Sequence, residues 1–87
     1  MSLDIRHDEE NQQFTAVLEE EEIGELAYAR PDDKTIDFQH TFIEEQHRSK
    51  GHADTLIKHG LDFADQQGLT VKASCRAVAS YLDRHPR

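Results

Sequence analysis

Cysteine is nearly absent: the 87-residue chain holds one, Cys75, so no intramolecular disulfide can form, and the composition suits a reducing cytoplasm better than secretion. Long apolar runs are missing too. No stretch approaches the roughly 20 apolar residues of a bilayer-spanning helix, and residues 1–10 lack the apolar segment of a secretory signal, so a soluble cytoplasmic protein with no membrane role is expected. No linker, internal repeat or low-complexity segment interrupts the sequence, and a second hydrophobic core could not be enclosed at this size; residues 1–87 read as one domain. Positive charge is in deficit, with 10 basic residues against 18 acidic and a formal net charge of −8. That balance opposes docking onto a nucleic-acid backbone. It favours a cationic partner, although an acidic surface is most often a solubility feature.

What is present is a clear change of hydrophobic period. Residues 3–7 form a short candidate strand carrying Leu3 and Ile5 on one face, followed by a polar turn at 8–11. In residues 12–19, Phe14, Ala16 and Leu18 alternate, the period-2 signature of a half-buried strand. Residues 23–30 place Leu26 and Tyr28 on one parity and Ile23, Ala27 and Ala29 on the other, as in a strand covered on both faces. Pro31, Asp32, Asp33 and Lys34 supply a turn between antiparallel strands. Residues 35–43 then set Ile36, Phe38, His40 and Phe42 on one face, which predicts that His40 is enclosed. From about residue 50 to 67, Ala53, Leu56, Ile57, Gly60, Leu61 and Ala64 recur at spacings of three and four, one stripe of a helix that Gly68 should stop. Gly60 costs ~1 kcal/mol relative to alanine there, which suggests close approach of another backbone. Residues 69–75 alternate again, and Val78, Tyr81 and Leu82 share one side of a short final helix. The resulting architecture is α/β (α+β): an antiparallel β meander, a parallel βαβ unit and a short C-terminal helix.

The most informative stretch is Arg48-Ser49-Lys50-Gly51-His52-Ala53, where a strand gives way to the long helix. The first N–H groups of a helix lack intrahelical acceptors and sit at the positive end of its dipole, so a phosphate is stabilised there. Gly51 lets the backbone come close to phosphate oxygens, and Arg48 and Lys50 add cationic donors. An ordinary basic helix start is the competing reading of the same residues.

Arg48-x-x-Gly51-x-Ala53 is similar to the Arg/Gln-x-x-Gly-x-Gly/Ala motif with which Gcn5-related N-acetyltransferases hold the pyrophosphate of coenzyme A. His40-Thr41 before the motif, the helix from Ala53 to Gly68, Cys75 after the fifth strand, and Tyr81 with His85-Pro86 extend the likeness to the small stand-alone branch of that superfamily. Ser49 and His52 depart from the branch, which usually has glycine and an apolar residue there. The resemblance implies an acetyl-coenzyme A-dependent N-acetyltransferase acting on an amine, a small molecule or a protein lysine. It implies coenzyme contacts from Thr41, Phe42, Ile43, Arg48, Ser49, Lys50, Gly51, His52, Ala53 and Tyr81, with a backbone N–H among Thr41, Phe42 and Ile43 polarising the thioester carbonyl. A Cys75 beside the coenzyme thiol would act as acetyl acceptor or as pocket wall.

The residues themselves leave alternatives open. Cys75 also continues the apolar row of Leu69, Val71 and Ala73 as a small buried side chain. His40 is either a general base or a hydrogen-bonded core histidine, and Tyr81 a core aromatic or a coenzyme contact. His47, His52 and His59 lack a metal-ligand spacing, so no metal site is expected. Larger members of the superfamily add helices that build the acceptor site; without them the acceptor meets an open groove, or a homodimer completes it. A coenzyme-binding module without turnover and a plain interaction domain are the competing functions.

Overall fold

The computed structural model describes residues 3–86. The elements follow in the order β1 (Leu3–Asp8), β2 (Gln13–Leu18), β3 (Glu21–Asp32), β4 (Thr35–Ile43), a 3-10 turn (Glu45–His47), α1 (His52–Gln67), β5 (Thr70–Ala73) and α2 (Arg76–Arg84). The five strands make one sheet in sequence order. The first four are antiparallel, and β5 joins β4 in parallel after the α1 crossover. The expected meander and βαβ unit are both present. The third strand runs further than its sequence suggests, reaching Asp32 and leaving Asp33 and Lys34 as a tight turn. At the β2–β3 hairpin, Glu19 and Glu20 both take positive φ, 51° and 68°, the pairing that a two-residue turn with the right twist demands.

α1 lays Leu56, Ile57, Gly60, Leu61 and Ala64 on the sheet, the stripe its sequence draws. Gly68 ends it in the left-handed region at φ 67°, and the Leu69 N–H returns to Ala64 O at 2.8 Å, closing the frayed carbonyls as a glycine cap does. α2 packs on β4, β5 and α1, and its Val78 is fully buried. A single apolar cluster results, running from Phe14 and Ala16 through Leu26, Tyr28, Ile36 and Phe38 to Leu56, Leu61 and Val78. Coverage of both faces of β3 is not observed. Leu26 and Tyr28 are buried, but Ala27 and Ala29 are only half-buried, because the chain has too few helices to cover the second face. Ile23 is buried for a different reason: the β2–β3 register slips between Ala16 and Val17, so Ile23 is an extra residue that turns inward.

At Gly60 the close neighbours are side chains rather than a backbone. A Cβ there would sit 2.8 Å from both Leu26 Cδ2 and Phe38 Cε1. Alanine would gain ~1 kcal/mol of helix propensity, while overpacking a filled core costs ~1–3 kcal/mol. Gly60→Ala should therefore lower the melting temperature, and a rise would show that α1 can slide away from β3 and β4 at little cost.

His7 sits in the aromatic edge of this core, stacked on Phe14 at 4.1 Å and edge-on to Phe63 at 4.4 Å between centroids. Its Nε2 is 2.6 Å from the Tyr28 hydroxyl. Burial pushes the His7 pKa below its usual 6.5, against the opposing pull of the Glu9 and Asp8 carboxylates. Between the depressed folded value and 6.5 the unfolded chain binds more protons, so this contribution is complete above the unfolded value and is lost as pH falls below it. Denaturant titrations from about pH 7.5 down to 5 should show wild-type stability falling more steeply than that of a His7→Asn variant; parallel profiles would contradict the account.

Candidate functional site

The site begins with one extra residue in β4. Tyr28 pairs with Phe38, but Ala27 pairs with His40, so Gln39 has no partner and forms a bulge. A bulge re-aims every side chain beyond it. Before it, Ile36 and Phe38 are buried; after it, Thr41 and Ile43 turn toward the helix side, and His40 and Phe42 turn away. This corrects the sequence expectation for His40, which is exposed and does not share the buried row of Phe38. Phe42 likewise leaves that row and is 42% exposed. Strict alternation has no means of registering a single inserted residue, Gln39, when it and the following His40 are both polar.

The second feature is the short reach of β5. It pairs with β4 only from Thr35 to Phe38, and the Cys75 N–H closes the ladder by donating to Phe38 O at 2.8 Å. Beyond that point residues 39–43 have no strand on their outer side among the described residues. The Glu44 N–H is given to Ile23 O, inward toward β3, at 2.8 Å. Alternation along the strand sends the Phe42 N–H the same way and leaves those of Thr41 and Ile43 on the open edge. Cys75 lies at the closed end of this opening. It is buried, and its Sγ is 3.2 Å from Thr41 Oγ1.

At the other end is the helix start. A cleft of about 270 Å³ is lined by Ile43, His47, Arg48, Ser49, Gly51, His52, Ala53 and Asp54. Gly51 caps α1 at φ 81° with no side-chain hydrogen bond, so the first amides of the helix have no capping acceptor. Its carbonyl instead takes the Thr55 N–H and hydroxyl, both at 3.1 Å. Arg48 donates Nε to Ile43 O at 2.8 Å, and its guanidinium lies 5.8 Å from the Phe42 ring centre. Across the rim, Arg84 of α2 grips Asp54 through two nitrogens at 3.2 and 3.3 Å, tying the end of α2 to the first turn of α1.

The sequence-derived residues thus fall into two groups. Thr41, Ile43 and Cys75 converge on the open edge, and Arg48, Ser49, Gly51, His52 and Ala53 line the cleft at its far end. Four lie apart from both. Lys50 is exposed and does not line the cleft, His40 and Phe42 occupy the opposite face, and Tyr81 is half-buried against the core, its ring 4.4 Å from that of His85. Asp54 and Arg84 were not expected at the site, since a helix-surface carboxylate and an arginine 30 residues later carry no local signal of their meeting.

A family model described as GCN5-related N-acetyl-transferase matches residues 13–87. The chain belongs to this family. Among curated proteins it is similar to Protein NATD1 of Xenopus tropicalis, 29% identical over 86 residues and covering 98% of this chain and 79% of that protein. Among solved structures, its fold matches a GCN5-like putative N-acetyltransferase from Staphylococcus aureus, with a TM-score of 0.74 at 24% identity over 97% of this chain and 82% of that one. It also matches a GNAT family acetyltransferase from Elizabethkingia anophelis with acetyl-CoA bound, with a TM-score of 0.68 at 17% identity. That match covers 83% of this chain and half, 50%, of the other, so this chain spans only part of the larger acetyltransferase. Among the described residues no helix is long and apolar enough to cross a membrane.

One residue of the loop is strained: Ser49 lies at φ 65°. A side chain in the left-handed region costs ~1–2 kcal/mol, partly offset because serine leaves the unfolded chain less freedom than glycine, by ~0.4–1 kcal/mol. Ser49→Gly should raise unfolding stability by about 0.5–1 kcal/mol, measured by denaturant titration; a loss would mean that the hydroxyl holds the loop together.

Proposed function

We propose that this chain transfers an acetyl group from acetyl-coenzyme A to a primary amine. The observation that carries the reading is the helix-start cleft at one end of the stretch of β4 that β5 leaves unpaired, with Thr41 and Cys75 3.2 Å apart at the other end. In this reading the pyrophosphate sits against the α1 amides and Gly51, with Arg48 as its nearest cation. The pantetheine arm takes the place of a missing strand, meeting the Thr41 and Ile43 N–H groups. The thioester then lies beside Thr41 and Cys75, where an edge N–H stabilises the oxyanion.

The chemistry is a direct displacement. A deprotonated amine attacks the thioester carbonyl carbon, the C–N bond forms, and collapse of the tetrahedral intermediate breaks the C–S bond. The amine's second proton leaves to water or a base, and the departing thiolate is protonated. Cys75, already hydrogen-bonding distance from Thr41 Oγ1, is placed to donate that proton or to line the pocket. His40 is exposed on the face opposite Thr41 and serves as base only for an acceptor entering from that face. Glu25 pairs with Phe42 and shares this face with it, so a carboxylate beside an exposed aromatic ring greets the acceptor there, which favours a cationic amine. The competing reading is a coenzyme-binding module without turnover.

Thermal unfolding in acetyl-coenzyme A decides first. At ~100 times the dissociation constant a bound ligand adds about 2.7 kcal/mol, and an unmoved transition would overturn both readings. Where the shift appears, an amine-acceptor screen separates transferase from binding module. Cys75→Ala is expected to keep the shift and lose most turnover; full turnover would restrict Cys75 to the pocket wall.

A further inference from the structure

Among the described residues, two buried side-chain atoms lack a hydrogen-bond partner: Glu44 Oε1 and His47 Nδ1. An unsatisfied buried polar atom costs ~1–3 kcal/mol, and both of these fall within one four-residue stretch. A third residue meets them. Glu21, at the start of β3, contributes a ligand atom to a group with Glu44 and His47 in which all three atoms lie within 4.8 Å of one another. The fold makes the meeting necessary, because the Glu44 N–H donates to Ile23 O and so pins the end of β4 against the beginning of β3.

We propose that Glu21, Glu44 and His47 bind a divalent cation, Zn²⁺, with water completing the coordination. Two carboxylates facing each other repel unless a cation lies between them. The imidazole selects a first-row transition metal over magnesium or calcium, which prefer oxygen alone. Zinc bonds of ~2.0–2.2 Å set neighbouring donors roughly 3.4 Å apart. Glu21 is exposed, so its side chain can swing in to close the remaining gap. Sequence spacing could not reveal this group: Glu21 and Glu44 are separated by two strands, and His47 has no second histidine or cysteine at ligand spacing. The ion would clamp the β2–β3 hairpin to the segment just before Arg48. Because His47 also lines the cleft, it would place positive charge beside it. The proposal does not rest on acetyl transfer.

The test uses the whole chain, freed of metal with a chelator and titrated with zinc chloride by calorimetry, with magnesium chloride as control. One equivalent of zinc is expected to bind with micromolar affinity and raise the melting temperature, while magnesium does neither. Nitrogen-15 spectra of the histidine rings should show His47 Nδ1 as the coordinated atom. Glu21→Gln, at an exposed position that leaves folding intact, should weaken binding at least about tenfold, and His47→Gln should abolish it. Zinc binding unchanged in both variants would place the metal on other histidines and overturn the site. So would a protonated His47 Nδ1 whose signal zinc does not move, since Glu44 and His47 would then simply bond to each other.

Discussion

The site depends on the bulge at Gln39. It gives β4 two different faces in nine residues: before it the strand belongs to the core, and after it Thr41 and Ile43 point where α1 begins. Because β5 stops pairing at Phe38, the bulge and the end of the ladder coincide. The sheet therefore splits at the place where the strand changes parity. An unpaired edge inside a domain is ordinarily a liability, yet here it is flanked by Cys75 at one end and by the Arg48 loop at the other. Such an edge is a template for any extended chain bearing amides, which is the chemical character of a pantetheine arm.

Much of this architecture was legible in the residues. Period-2 alternation located β2, the three-and-four spacing located α1 with its buried stripe, and Gly68 marked its end. The loop from Arg48 to Ala53 was readable because its signal is local: a glycine that must adopt positive φ, basic neighbours and an apolar helix behind them. The failures have two causes. The double coverage of β3 assumed a second layer of helices; the enclosure of His40 assumed an unbroken register, and register is a property of two strands that no single strand records. Ile23, buried through its own slip opposite Ala16, is the same effect with the opposite sign. Long-range pairs were silent as well: Arg84 with Asp54, Thr41 with Cys75, and Glu21 with Glu44 and His47 exist only because the sheet folds them together.

Gly51 and Ser49 show how one loop can hold both fit and strain. Gly51 adopts a conformation that glycine enters freely, and a Cβ there would meet open space; the constraint is on the backbone alone. Ser49, two residues earlier, enters the same region with a side chain. The loop keeps its shape because Arg48 anchors it through Ile43 O and the first turn of α1 is held by Thr55 and by the grip of Arg84 on Asp54. Strain at a binding loop persists when its surroundings over-determine it, and here the fixed points are the end of β4 and the end of α2.

The net charge of −8 sets the last constraint. A polyanionic coenzyme approaching this surface is repelled at distances beyond the Debye length of ~8 Å only weakly, because salt screens the whole-molecule field. What decides binding is charge within a few ångströms, and the acidic excess is kept largely elsewhere, with Glu19, Glu20, Glu21 and Glu22 at the tip of the β2–β3 hairpin. Near the cleft stand Arg48, the positive end of α1, and Arg84, which neutralises the one carboxylate, Asp54, on the cleft wall. Global charge thus gives the surface an acidic field that favours cations, while a local cluster of opposite sign at the cleft suits an anion. The two requirements are compatible only because the cations are concentrated where the strand ends and the helix begins, so the same corner of the fold that opens the sheet also carries the charge needed to fill it.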